Sequence, residues 1–284
     1  LFHNRSNRNA RSPQPLPILR GSQIACMTDT PSLLAQAMLL AAGRGNRMRP
    51  LTDTTPKPLL PVHGKPLLEW PMRALAAQGF ARVLVNTGWL GEQIPAHFGK
   101  QHAHGDALPA TQLLYSREEQ DFGRALETAG GIARALPQLE AVFWLAAGDV
   151  FAPDFAFARA DYDRFAASPA LAHIWLVPNP AHNPAGDFAL SEDGTAHVAN
   201  DSNTQLPRYT YSTIGLFKKA LFTTPWCALA AGNPQGEVAP LAPVLRAAMQ
   251  HGHISASLYT GRWTDVGTLE RLAELNATPI AWQD

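Results

Sequence analysis

Residues 36–50, QAMLLAAGRGNRMRP, read as two pieces joined at Gly43. Gln36 to Ala42 is a short apolar run, the composition expected of a parallel strand buried on both faces. Gly43-Arg44-Gly45-Asn46-Arg47-Met48-Arg49-Pro50 then leaves it as a loop. Glycines there let the backbone approach a ligand closely and turn its N–H groups toward anionic oxygens. In open α/β sheets, ligands gather at the carboxyl ends of strands, where this loop falls.

The loop continues to about residue 65 and carries Arg44, Arg47, Arg49, Lys57 and Lys65, with Asp53 as its one acid. Loops of that length are usually functional or disordered. A triphosphate would need that much positive charge. Two phosphate-binding patterns fail on spacing. A dinucleotide fingerprint needs glycine where Arg47 stands, and a Walker loop needs Ser or Thr where Pro66 follows Gly64-Lys65. On these residues alone, a solvated basic loop tightened by glycine remains an equal reading.

Outward from this unit, strand and helix alternate. A helix is predicted from Pro66 to Gln78, a strand over 81–86, a short helix over 92–98 and a strand over 112–116. A helix over 126–136 and a strand over 141–146 follow. The pattern predicts a doubly wound, mostly parallel, Rossmann-like α/β sheet with right-handed crossovers. The second half reads as more antiparallel: a strand over 171–177, a hairpin over 188–198 around Glu192-Asp193-Gly194, and a long strand over 209–217. A helix over 241–250, a last strand over 254–263 and a closing helix over 268–276 complete it. The expected organisation is one domain over 31–284, in two parts over about 36–150 and about 151–284. No hexapeptide periodicity marks an appended β-helix.

Residues 1–30 differ, with Arg5, Arg8, Arg11 and Arg20 against Asp29. They lack the apolar segment of a secretory signal and are expected to be a disordered N-terminal extension without a part in the chemistry. Apolar residues make up 46% and charged residues 16% of the 284, so the chain is globular. Formal net charge is zero, which recruits neither nucleic acid nor an acidic membrane. No apolar run is long enough to span a bilayer. Cys26 and Cys227 form no disulfide framework or metal knuckle, and the expected compartment is the cytoplasm. No motif implies a protein partner.

Two acids sit after predicted strands. Asp149 lies in Ala147-Gly148-Asp149-Val150, and Asp265 in Trp263-Thr264-Asp265-Val266-Gly267-Thr268. Each has an ordinary use, Asp149 in a turn and Asp265 as a helix cap, although Thr268 can take the cap instead. Each also suits Mg²⁺, which takes one or two carboxylates plus phosphate oxygens and water. None of the 10 histidines forms a recognised metal pattern, and no serine or cysteine occupies a nucleophile elbow.

The run Gly43-x-Gly45-x-Arg47-x-x-Pro50-x-Thr52-x-x-x-Pro56-Lys57-Pro58, then Pro61-Val62-x-Gly64-Lys65-Pro66-Leu67-Leu68-Glu69, resembles the signature of the sugar-1-phosphate nucleotidylyltransferases. The resemblance covers about 36–276 and implies a nucleotide-diphospho-sugar transferase fold, with a nucleotide-binding part over about 36–150 and a sugar-binding part over about 151–284. It implies that Ala41, Ala42 and Gly43 meet the base, that Gly45, Arg47 and Lys57 meet the phosphates, and that Arg47 and Lys57 are catalytic. It implies Mg²⁺ held by Asp149 and Asp265. Within the family the chain is most similar to the N-acetylmuramate α-1-phosphate uridylyltransferases of cell-wall recycling. The residues that carry this are Asn86-Thr87-Gly88-Trp89-Leu90-Gly91-Glu92, Leu126-Glu127-Thr128-Ala129-Gly130-Gly131, Gly186-Asp187-Phe188 and Gly267-Thr268-Leu269-Glu270-Arg271. That likeness implies UTP and a sugar 1-phosphate as substrates. Glu127, Thr128 and Gly130 would line the uracil pocket and Asp187 would accept hydrogen bonds from the sugar.

Three residues depart from the pattern. Ala147 replaces an expected Asn, Thr213 an expected glycine against the sugar, and Pro240 a basic residue toward the sugar phosphate. They leave open a glucose-1-phosphate or mannose-1-phosphate enzyme, and a nucleotide-sugar sensor that binds without catalysis.

Overall fold

Strand β1 (Ala35–Ala41) lies between two parallel neighbours and has no face toward water. Met38 packs with the core on one side of the sheet, and Ala37, Leu39 and Ala41 with the core on the other. That double burial is why the run carries no polar alternation. The computed structural model describes residues 34–198 and 205–279. The expected extension over 1–30, with Cys26, lies outside the described residues.

The remaining strands of the main sheet are β2 (Arg82–Thr87), β3 (Gln101–His102), β4 (Thr111–Arg117), β5 (Leu139–Ala147), β6 (Ala172–Val177), β7 (Phe188–Leu190), β8 (Ala196–Val198), β9 (Arg208–Lys218) and β10 (Ile254–Leu258). Their order is β8-β7-β9-β5-β1-β2-β4-β3, with β6 also paired to β9 and β10 to β6. Strands β5, β1, β2 and β4 are mutually parallel, whereas β9 runs antiparallel to β5, β6 and β7. The expected parallel first half and more antiparallel second half are both present.

The helices are α1 (Glu69–Ala77), α2 (Gln93–Phe98), α3 (Glu118–Phe122), α4 (Glu127–Ala135), α5 (Arg159–Ala167), α6 (Leu241–Met249) and α7 (Leu269–Ala277). Helix α6 buries Leu241, Val244, Leu245, Ala248 and Met249, one stripe at helical spacing. Each such large side chain contributes about 1.5–3 kcal/mol by leaving water. These residues pack with Ile132 of α4, whereas Met72 and Leu75 of α1 and Phe165 of α5 pack with the opposite core. Helices therefore cover both faces. No helix among the described residues is long and apolar enough to cross a membrane.

Several boundaries differ from expectation. Pro66 does not open α1: Lys65-Pro66 pairs antiparallel with Pro61-Val62 across His63 (φ 49°) and Gly64 (φ 79°). Two consecutive positive-φ residues make the tight turn that joins such a ladder. The last strand ends at Leu258 rather than Trp263, and Thr264-Asp265 pairs instead with Val150-Phe151. Helix α5 was not expected. Its sequence RADYDRFAA fully buries only Phe165, so it has little apolar periodicity to show. Thr268 is the cap of α7, its Oγ1 accepting from the Arg271 N–H at 3.3 Å.

Candidate active site

The glycine loop is held by its own packing. Gly45 has φ +67°, and a Cβ there would lie 3.0 Å from Thr52 Cγ2 and 3.3 Å from Lys57 Cβ. The conformation favours glycine, and a side chain there would also be tightly placed. Thr52 Oγ1 donates to the Gly45 carbonyl at 2.9 Å, and fully buried Met48 packs in a small core with Val62, Phe151, Val266 and Leu272. The loop is thereby fastened to the segments on either side of Asp149 and Asp265. Its cations divide. The Arg44 guanidinium lies 3.9 Å from the Trp89 ring centroid, and Arg49 pairs with Asp53 at 2.7 Å. Arg47 and Lys57 line a cavity of about 940 Å³ over the carboxyl ends of β1 and β5.

That cavity collects most of the expected site. Ala41, Ala42, Gly43, Gly45, Arg47, Lys57, Glu127, Thr128, Ala147, Asp149, Asp187 and Thr213 line it. Gly130 and Asp265 are not in its wall. Gly130 sits under the segment before α6, where a Cβ would meet the Glu237 carbonyl at 2.5 Å. Glycine there permits α4 to pack closely behind Glu127 and Thr128. Glu127 itself has φ 57°, a conformation uncommon for a side-chain-bearing residue.

The two acids, distant in sequence, start from adjacent backbone. Asp265 pairs with Val150, and the Val266 N–H donates to the Asp149 carbonyl at 2.8 Å. Asp149 Oδ2 accepts from Lys57 Nζ at 2.5 Å. The Asp265 carboxylate is met by Arg271 Nη1, and by His182 Nε2 at 3.0 Å. Negative charge is thus balanced by cations at the mouth of the basic loop, an arrangement able to hold a hard divalent cation and polyphosphate oxygens.

Two residues of the wall, Glu118 and Asn86, had been given no role from the sequence. Fully buried Glu118 accepts from Asn86 Nδ2 at 2.7 Å and from the Leu126 N–H at 2.8 Å. Asn86 Oδ1 in turn accepts from the Ala41 N–H at 2.8 Å. This chain fixes the end of β1 against the start of α4. Burial raises the Glu118 carboxyl above its ordinary range, a shift that its hydrogen bonds only partly oppose. Between the ordinary and the raised value the folded state holds the extra proton, so this group's contribution to stability falls as pH rises. Glu118→Gln should remove that slope and lose one N–H acceptor, costing about 1–3 kcal/mol. Melting curves of both proteins across the acid range should show their separation narrowing with rising pH.

Asp187 is oriented by its surroundings: Oδ2 accepts from the Tyr211 N–H at 2.8 Å and Oδ1 from Asn183 Nδ2 at 3.2 Å. Tyr211 lines the cavity, and its buried hydroxyl has no hydrogen-bond partner among the described residues. Thr213 adopts φ 61° where the register of β9 against β6 shifts, the conformation that the expected glycine would take without strain. Thr213→Gly should therefore stabilise the fold by up to about 1 kcal/mol, read as a higher denaturant midpoint. Pro240 and Arg246 both line the cavity. A cation absent at 240 is present six residues on, in α6. Its signal was the stripe of α6, which sets Leu241, Ala242, Leu245 and Arg246 along one side.

Outside this cavity, Glu69, His102 and His104 bring one potential metal-ligating atom each to within 4.8 Å of the others. Nothing in the spacing of the histidines had pointed there.

Comparison with known proteins agrees with this geometry. The Nucleotidyl transferase family profile matches residues 36–184. The chain is 43% identical over 254 residues to an N-acetylmuramate alpha-1-phosphate uridylyltransferase of Neisseria meningitidis serogroup B, covering 87% of this chain and 100% of that protein. It is 29% identical over 237 residues to a protein of the same description from Caulobacter vibrioides, covering 81% and 91%. Among solved structures, HddC from Yersinia pseudotuberculosis complexed with GMP-PN superposes with a TM-score of 0.62 at 18% identity, over 86% of this chain and 98% of that one. A basic glycine loop, two acids on one short ladder and a full-length relative converge: the chain belongs to the sugar-1-phosphate nucleotidylyltransferase family.

Proposed function

We propose that the protein transfers a uridylyl group from UTP to N-acetylmuramate α-1-phosphate in the cytoplasm, giving UDP-N-acetylmuramate and pyrophosphate. The observation that carries the reading is the shared cavity. Arg47 and Lys57 of the basic loop line it together with Asp149, Asp187 and Thr213. The name of the full-length Neisseria relative supports the choice of sugar and base.

Asp149 and Asp265 would hold Mg²⁺. The fit rests on hard carboxylate oxygens raised from adjacent backbone, each already matched by a cation. Bound there, Mg²⁺ supplies charge neutralisation and alignment of phosphate oxygens. Lys57, which neutralises Asp149 at 2.5 Å, would present its ammonium to the phosphates from that position. A sugar-phosphate oxygen attacks the α-phosphorus of UTP. One P–O bond forms, the bond to the bridging oxygen breaks, and pyrophosphate leaves with the electron pair. A phosphate dianion is already nucleophilic at neutral pH, so no general base is needed. Catalysis is positioning and electrostatics, with Lys57 and Arg47 stabilising the developing charge.

Glu127 and Thr128 would face the uracil, Ala41 to Gly43 its base edge, and Asp187 a sugar hydroxyl. Arg246 would meet the sugar phosphate in place of residue 240. Arg246→Ala should then raise KM for the sugar phosphate by at least about tenfold and leave KM for UTP nearly unchanged.

Pyrophosphate release from UTP, compared with N-acetylmuramate, N-acetylglucosamine, glucose and mannose 1-phosphates, tests the assignment. Preference for the muramate is expected. Preference for another sugar would keep the reaction and overturn the substrate, and UTP binding without release would point to a sensor.

A further inference from the structure

Helix α1 begins with Glu69 beside the edge strand β3, and none of the residues that meet there lines the nucleotide cavity. Glu69 Oε2 lies 3.8 Å from His102 Nε2, while Oε1 lies 3.7 Å from Arg73 Nη1. The His102 and His104 rings stand 5.1 Å apart at 74°. His104 is 5% exposed, and its Nε2 is 2.8 Å from the Oγ1 of fully buried Thr111. Among the described residues, two buried nitrogens here have no hydrogen-bond partner, His102 Nε2 and His104 Nδ1.

Buried polar atoms are rarely left unsatisfied, because each costs about 1–3 kcal/mol. Two such atoms beside a carboxylate constitute a donor set looking for an acceptor of lone pairs. A neutral imidazole carries one free lone pair, which a metal ion can take up. With Nε2–H donating to Thr111, the lone pair of His104 sits on Nδ1. In that tautomer the hydrogen bond leaves Nδ1 as the ligating nitrogen, the part that outer-shell partners of metal-bound histidines play. Arg73 also donates to the His104 carbonyl at 2.8 Å, so one guanidinium braces two of the three residues.

We propose that Glu69, His102 and His104 bind one divalent transition-metal ion of the zinc class, with the fourth position open to water. Two imidazoles and one carboxylate suit zinc and are a poor set for magnesium, which takes oxygen. Tetrahedral ligands at zinc distances stand about 3.4 Å apart. Donor atoms already within 4.8 Å need close by little more than an ångström. The Arg73 charge keeps the affinity moderate. The ion would tie the edge strand and the loop after it to the start of α1, and the proposal does not rest on the transfer reaction.

The test is titration of the chelator-stripped full-length protein with Co²⁺ in excess Mg²⁺, followed by visible absorption. One Co²⁺ per chain is expected, with the strong bands of a low-coordinate nitrogen site, displaced by Zn²⁺ and unchanged in Asp149→Asn. Glu69→Gln and His102→Gln involve partly exposed side chains and should keep the melting temperature of the stripped protein. Each should weaken Co²⁺ binding by at least about a hundredfold, more than loss of an outer-shell partner. Absence of the bands in the unaltered protein, or unchanged binding in both variants, would overturn the proposal.

Discussion

Asp149→Asn and Asp265→Asn should each lower kcat by about a thousandfold or more while the protein stays folded. The expected loss follows from the proposed metal role, since each change removes a charged oxygen ligand and keeps the side-chain shape. The structure separates this from a folding defect. The ladder that joins the two segments is made by backbone groups, Val266 N–H to the Asp149 carbonyl among them, and an asparagine preserves it. The side chains are 41% and 25% exposed, so neither supports the core. Asp149→Asn does strip Lys57 of its partner, and a modest fall in melting temperature is expected there. Asp265→Asn leaves Arg271 and His182 in contact with one another and partly exposed to water. Raising Mg²⁺ should recover part of the activity in either variant, because the remaining acid still offers a ligand. Near-normal turnover in both would remove the metal assignment.

Lys57→Met should reduce kcat by about 10²–10³ and change KM for UTP much less. Its side chain is 10% exposed and its ammonium meets Asp149, so the cation is fixed and largely dry before substrate arrives. Charge held in that way needs little reorganisation as the transition state forms. Uniform binding of ground and transition states would raise KM instead, which is how steady-state kinetics distinguishes the two roles. Methionine fills most of the space beside Gly45, so the loop should keep its path. Lys57→Arg should not rescue the rate, because a planar guanidinium is longer and bulkier than the ammonium that meets Asp149 in this largely buried position.

What could be read from the chain, and what could not, follows the range of the interactions. Strand β1 and the loop after it are contiguous, and local composition carried both. The parallel half followed from alternation of apolar runs with helical spacing. Helix α5 escaped because it is mostly exposed and charged, and Pro66 misled because a proline that can start a helix can equally end a two-residue ladder. In the cavity, residues that directly follow strands were legible: Ala41 to Gly45, Ala147 and Asp149. Glu118 and Asn86 were not, since their use depends on a hydrogen-bond chain from β2 through α3 to α4. Arg246 required knowing which side of α6 faces the cavity. Thr213 was noticed as a departure, and its positive φ gives the physical reason that glycine was expected there. Glu69, His102 and His104 had no linear signal at all, because their meeting depends on the edge strand folding against α1.

The most direct test of the account is a ³¹P NMR time course of the purified protein with UTP, N-acetylmuramate α-1-phosphate and Mg²⁺. UDP-N-acetylmuramate and pyrophosphate should appear in equal amounts, and neither should form when the sugar phosphate or the metal is withheld. Orthophosphate in place of pyrophosphate, or UTP that binds and stays intact with every sugar phosphate tried, would contradict uridylyl transfer at this cavity.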